Sequence, residues 1–226
     1  MVRVENLSVN YGSKQVLDHL SFEVKPGEVH GIVGENGAGK TTLFESLVGF
    51  KKGYSGSVDY VPNVQQSIGF LPANPPMITK ITGSEYLKLV LLARGIDRDD
   101  FDGSNIFDLP LNSYADTYST GMQKKLVLLG VILQGNAFYV LDEPFNGLDY
   151  QSCLMVIDIL AELRTAGKAV IVSSHIFSTL SDSCDYIHFL KRGAFQYSVG
   201  KEKFLEIEAV IKRELIRDSV KGLGIR

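Results

Sequence analysis

Residues 34–41 read Gly-Glu-Asn-Gly-Ala-Gly-Lys-Thr and fit the spacing G-x-x-x-x-G-K-[ST]. The spacing has a mechanical reason. Glycines let the backbone wrap closely, so successive N–H groups and the next helix N-terminus converge on phosphate oxygens. Gly34, Asn36, Gly37, Ala38 and Gly39 would form that cradle. Lys40 would reach the outer phosphates, Thr41 would offer its hydroxyl to Mg²⁺, and Thr42 would add a donor near the inner phosphate. A second stretch, Phe138-Tyr139-Val140-Leu141-Asp142-Glu143, is an apolar run that ends in two carboxylates. Asp142 suits a magnesium ion held through water, and Glu143, pointing differently, suits a general base for an attacking water. His175 follows another apolar run, 169–174, and suits a hydrogen bond to a terminal phosphate. A third stretch, Tyr118-Ser119-Thr120-Gly121, runs straight into Gln123, Lys124 and Lys125 and looks like a second anion site.

Each fragment alone has an ordinary reading: a glycine turn, a solvated strand end, a satisfied histidine. Their meaning depends on the elements that carry them. Val29–Val33 is short and apolar and Lys40–Val48 is helical, which places the glycine loop between strand and helix. Phe138–Leu141 and Ala169–Ser173 are apolar on both faces, as central parallel strands are, and ligands of such sheets bind beyond the strands' carboxyl ends. Val2–Val9 and Val16–Val24 alternate as strands around a Tyr11-Gly12-Ser13 turn, and Ser57–Tyr60 and Ser67–Leu71 are short strands. Residues 73–135 change character, with helices at Ser84–Arg94, where Glu85 sits at the positive end, and at Met122–Leu133. Ser152–Thr165 and Ile176–Ser183 are helices, and Tyr186–Leu190 and Ala194–Ser198 form a hairpin. Lys201–Val220 is a terminal helix with Phe204, Ile207, Ile211 and Leu215 on one stripe. The stripe packs on the core in the simplest reading; binding a partner is the alternative. The alternation of strands and helices predicts an α/β fold.

Composition narrows the class. The chain has 226 residues, 45% of them hydrophobic and 22% charged, with a formal net charge of −3. A length of this order suits one layered domain with a subdomain. The negative balance argues against a nucleic-acid surface, and the late Lys/Arg residues are interleaved with Glu202, Glu206, Glu208 and Glu214. Cys153 and Cys184, the two cysteines, lack a CxxC spacing and read as reduced core thiols, with a single disulfide as the alternative. The N-terminal residues show no export-signal layout. The longest apolar window, 126–141, is broken by Gln134, Gly135 and Asn136, so any membrane-spanning part would belong to a partner.

Taken together, GENGAGKTT, YSTGMQ, FYVLDEP, NGLD and SSH resemble the ATP-binding subunits of ABC transporters, in particular free-standing ATPase subunits of exporter systems. The likeness runs from about Val2 to Leu190. It implies one cassette over 1–226: a P-loop NTPase core with a mainly parallel sheet, an N-terminal antiparallel β subdomain and an inserted α-helical subdomain at about 73–135. It further implies ATP and Mg²⁺ as cofactors and a head-to-tail pair formed with a second copy or a related ATPase subunit. In such a pair each ATP lies between one chain's phosphate loop and the other's signature turn, here Ser119, Thr120 and Gly121. Asn146 to Asp149 match the loop at the seam, Glu143 the catalytic glutamate, His175 the switch histidine, and Tyr11 the aromatic that stacks on adenine. An ordinary turn tyrosine is the other reading of Tyr11. The implied setting is cytoplasmic, on the inner face of the membrane, with an integral membrane permease as partner and no nucleic acid.

Three positions, at two places in the chain, depart from the pattern. Ala73 stands where glutamine or glutamate is usual, with Asn74 beside it. Thr120 and Met122 stand where glycine and glutamine are usual, and a thioether donates no hydrogen bond. Other readings of the whole are a soluble ABC ATPase in DNA repair, on ribosomes or in cofactor assembly, and a regulatory module that closes on ATP without turnover.

Overall fold

The computed structural model describes residues 1–60 and 67–216. Three strands, β1 (Val2–Tyr11), β2 (Lys14–Val24) and β4 (Ser55–Tyr60), form an antiparallel sheet in the order β2-β1-β4. Six more form the second sheet: β3 (Val29–Val33), β5 (Ile68–Leu71), β6 (Phe138–Leu141), β7 (Ala169–Ser174), β8 (Tyr186–Lys191) and β9 (Ala194–Gly200). Their order is β5-β6-β7-β3-β8-β9, with every pair parallel except β8–β9. The mixed α/β architecture is the one expected from the sequence.

Period-two burial shows why the strands run as uninterrupted apolar segments. Along β6, Phe138 and Val140 face one core while Tyr139 and Leu141 face another. β7 repeats the pattern, with Ala169 and Ile171 on one side and Val170 and Val172 on the other. A strand with helices or a second sheet on each face has no solvent side, so no polar alternation is left to read. One core joins the parallel sheet to the antiparallel sheet and to α1 (Lys40–Leu47) through Leu7, Leu17, Leu43 and Phe44. The other lies under α3 (Thr120–Leu133), α4 (Tyr150–Thr165), α5 (Phe177–Ser181) and α6 (Phe204–Ile216).

Between β5 and β6 the chain is helical. α2 (Gly83–Leu92) starts one residue before the expected Ser84 because Thr82 and Glu85 form a reciprocal capping box. α3 starts at Thr120, earlier than the expected Met122, because Ser119 caps it: its Oγ accepts from the Met122 N–H at 3.3 Å. At the C-terminal end, Lys201–Lys203 form a 3-10 turn before α6 begins at Phe204. Phe204, Ile207 and Ile211 are buried as the stripe requires. Val220 and the side chain of Leu215 lie outside the described residues. Cys153 and Cys184 are free thiols.

Because β3, β6 and β7 are parallel neighbours, their carboxyl ends open on one edge. The glycine loop, Asp142-Glu143 and His175 follow those three ends, and the topology brings them together.

Candidate active site

The loop 34–39 carries the chain from β3 into α1. Gly39 caps the helix with φ 112°, a left-handed conformation, and packs so closely that a β-carbon would lie 2.7 Å from Leu17 Cδ2. Lys40 folds back inside the loop. Its Nζ donates to the carbonyls of Gly34 at 2.8 Å and Glu35 at 3.3 Å and stands 3.2 Å from Glu143 Oε1. That ion pair lacks hydrogen-bond alignment, so Glu143 Oε1 is a buried oxygen with no hydrogen-bond donor.

Asp142 is fully buried, and both its oxygens are occupied. Oδ2 accepts from Thr41 Oγ1 at 2.7 Å, and Oδ1 accepts from Ser173 Oγ at 2.6 Å. Ser173 also receives the Glu143 N–H at 2.8 Å, so one hydroxyl at the end of β7 locks both carboxylate residues at the end of β6. Glu143 adopts φ 50°, rare for a residue with a side chain, and its Oε2 lies 3.0 Å from His175 Nδ1. Lys40, Thr41, Asp142, Glu143 and His175 converge on a cavity of about 430 Å³. Asn36, Gly37, Gly39, Lys40, Thr41, Thr42, Asp142, Glu143 and His175 all line it. Ala73 and Asn74 line it too, so the usual glutamine position does reach the site and Asn74 brings the amide.

Asn146, the first residue of the expected seam loop, lines the cavity as well, whereas the other residues singled out in the sequence lie elsewhere. Gly34 and Ala38 back the loop: the Gly34 carbonyl holds Lys40, and the Ala38 carbonyl accepts the Gly193 N–H at 3.1 Å. Tyr11 ends β1, half exposed, with Lys51 Nζ 3.7 Å from its ring centre, and is not among the residues that line the cavity. Ser119, Thr120, Gly121 and Asp149 are also outside it. Ser119 and Thr120 are solvent-exposed at the head of α3, and Met122 turns its thioether against the core, where a glutamine would have to be desolvated. Asp149 caps α4 by accepting from the Ser152 N–H at 2.8 Å. The Lys125 ammonium, 2.8 Å away, and the Ser152 N–H hold its carboxyl well below the usual range.

Sequence reading passed over Ser173 and Gly193. Ser173 gave a faint signal, as one of two serines ahead of His175. Gly193 sits in the β8–β9 turn, donates to the phosphate loop and accepts the Asp18 N–H at 2.9 Å; spacing within one motif cannot show a contact across 155 residues of chain.

Residues 17–146, more than half of the chain, match the family model described as ABC transporter. The chain belongs to that family. It is 33% identical over 199 residues to an uncharacterised ABC transporter ATP-binding protein of Methanocaldococcus jannaschii, a match covering 85% of this chain and 74% of that one. A second such protein, YhcH of Bacillus subtilis, is 32% identical over 209 residues, covering 85% and 68% of the two chains. A solved dimeric ATP-binding cassette in a post-hydrolysis state, bound to ADP and phosphate, superposes with a TM-score of 0.79 at 20% identity, over 89% of this chain and 99% of that chain. This cassette is an ATPase of the ABC transporter type. Among the described residues no helix is long and apolar enough to cross a membrane.

Proposed function

We propose that residues 1–226 form one ATPase cassette that pairs around two ATP molecules and powers transport through a separate integral membrane permease. The observation that carries this reading is the convergence of Lys40, Thr41, Asp142, Glu143 and His175 on one cavity at the carboxyl edge of the sheet. The backbone N–H groups of 36–42 and Lys40 bind the phosphates, with Lys40 exchanging its Gly34, Glu35 and Glu143 partners for phosphate oxygens. The Thr41 hydroxyl and Asp142, already 2.7 Å apart, have the oxygen donors of a magnesium site, Asp142 acting through water. Magnesium bound there would neutralise charge on the outer phosphates.

Glu143 is the general base. Its left-handed backbone and His175 aim the carboxylate into the cavity, and His175 itself donates to the terminal phosphate once that group arrives. Tyr11 receives the adenine. The turn Ser119–Gly121 serves the ATP of the second cassette, a copy of this chain or a related subunit. In support, Ser119 and Thr120 are exposed and the turn stands outside its own chain's cavity, and the structural neighbour is a dimer with ADP and phosphate. The resemblance to exporter subunits supports a cytoplasmic setting for the cassette, on the inner face of the membrane.

Replacing Glu143 tests the assignment directly. Glu143→Gln is expected to bind ATP with affinity near that of the wild type and to lose about 10²- to 10⁴-fold in turnover. Wild-type phosphate release from that variant would show that the base lies elsewhere. Recovery of the chain from detergent-solubilised membranes with a polytopic protein tests the transport role; recovery with soluble partners alone would contradict it.

A further inference from the structure

Lys124 lies on the second turn of α3, faces inward and is only 3% exposed. Its ammonium donates to two main-chain carbonyls, those of Glu143 at 2.9 Å and Asn146 at 3.1 Å. Burial holds it below the ordinary lysine range, against the pull of Glu143 and Asp142. A desolvated ammonium is costly, so a fold keeps one where it fixes something that needs fixing. The peptide units it meets belong to a strained segment. Glu143 is left-handed at φ 50°, its N–H fixed on Ser173 and its carbonyl on Lys124. The direction of the carboxylate is set by a backbone anchored at both ends.

The same helix touches this segment twice more. Gly121 packs so closely on Gly147 that a β-carbon would lie 2.6 Å from its carbonyl oxygen. Lys125 pairs with Asp149 at 2.8 Å. The head of α3 and residues 143–149 are therefore tied at three successive levels, with Lys124 the buried one.

We propose that Lys124 is a positioning residue: it fixes the Glu143 main chain, and so the aim of its carboxylate, in register with the Ser119–Gly121 turn at the head of the same helix. The inference rests on the roles proposed above for Glu143 and for that turn. In a pair of cassettes the turn answers to one ATP and Glu143 to the other, so Lys124 transmits the state of each site to its neighbour. Lys124 does not line the nucleotide cavity, so its loss acts on turnover and on cooperativity while ATP binding persists.

The test compares wild type, Lys124→Met, Lys124→Arg and Glu143→Gln in the full chain, reading Kd for a fluorescent ATP analogue, kcat, KM and the Hill coefficient. Lys124→Met is expected to keep Kd within about threefold while kcat drops about 30- to 100-fold, the scale of a misplaced catalytic group, and the Hill coefficient falls toward 1. Lys124→Arg, which keeps cationic donors, should regain at least about fivefold of the lost kcat. Turnover within about threefold of wild type in the methionine variant, a parallel loss of Kd and kcat, or no rescue by arginine would each overturn the proposal. If the methionine variant does not fold, Lys124→Ala, which also removes both hydrogen bonds, takes its place under the same criteria. Glu143→Gln separates the two levels. Full turnover there removes the general-base reading on which this one rests, whereas an inert Glu143→Gln beside an active Lys124→Met removes this inference alone.

Discussion

A base stacking on Tyr11 meets competition from within the chain, because Lys51 already places its ammonium 3.7 Å from the ring centre. At an exposed site a cation–π contact is worth about 0.5–1 kcal/mol, while stacking a nucleobase on an aromatic ring is worth about 1–3 kcal/mol. The base wins, by a margin smaller than the stacking energy itself. Tyr11→Ala is expected to weaken ATP binding by about tenfold with kcat little changed, read by nucleotide titration and steady-state kinetics. An unchanged affinity would leave Tyr11 as an ordinary turn residue. Lys51 follows α1 by four positions and its meeting with Tyr11 across 40 residues of sequence had no local signature, whereas Lys40, Thr41, Asp142 and Glu143 were legible because their roles depend on short-range order along a strand–loop–helix unit.

Strands and helices divide in the same way. The buried strands β3, β6 and β7 could be read because unbroken apolar runs have few other uses, and the start of α3 was missed because Ser119 reads as part of a turn until its Oγ is seen capping the helix. What sequence could not show is how β3 and β8 are joined on their buried faces. His30 and His188 lie side by side, His30 Nδ1 3.0 Å from His188 Nε2, with Glu28 at 3.1 Å from His30 Nε2 and Ser198 at 2.8 Å from His188 Nδ1. One assignment satisfies all four groups with both rings neutral: His30 donates to Glu28, His188 donates to His30, and the Ser198 hydroxyl donates to His188. Burial lowers both imidazoles, His188 to about 3, with His30 adding repulsion. The sign follows from that lowering. Above pH 6.5 neither state takes a proton, and below it the unfolded chain takes protons that the fold refuses. Stability should therefore fall as pH drops below 6.5, by up to about 1.4 kcal/mol per pH unit from His188 until pH about 3, with His30 acting in the same direction. Urea midpoints at pH 7.5 and 5.5 would measure the slope, and His188→Leu should make it shallower; an equal slope in that variant would show the pair is not its source.

At the scale of the whole molecule the two candidate anion-binding features stand apart. The loop 34–42 opens on the cavity with Asp142, Glu143 and His175, whereas Ser119 and Thr120 stand exposed at the head of α3, outside that cavity. The first turn of any helix carries N–H groups without intrahelical partners, and here Ser119 Oγ satisfies only the one on Met122. An exposed helix head with free donors fits a phosphate delivered by another chain. Ser119→Arg places a long side chain on that face while leaving the cavity's own lining intact. ATP affinity of the isolated chain should stay within about twofold of wild type, and hydrolysis should fall by at least about 100-fold because the second cassette can no longer close. In the Glu143→Gln background, sedimentation with ATP should show a dimer that the added Ser119→Arg abolishes. Loss of ATP binding by the arginine variant would instead place the turn at its own chain's nucleotide, and the paired arrangement would fail with it.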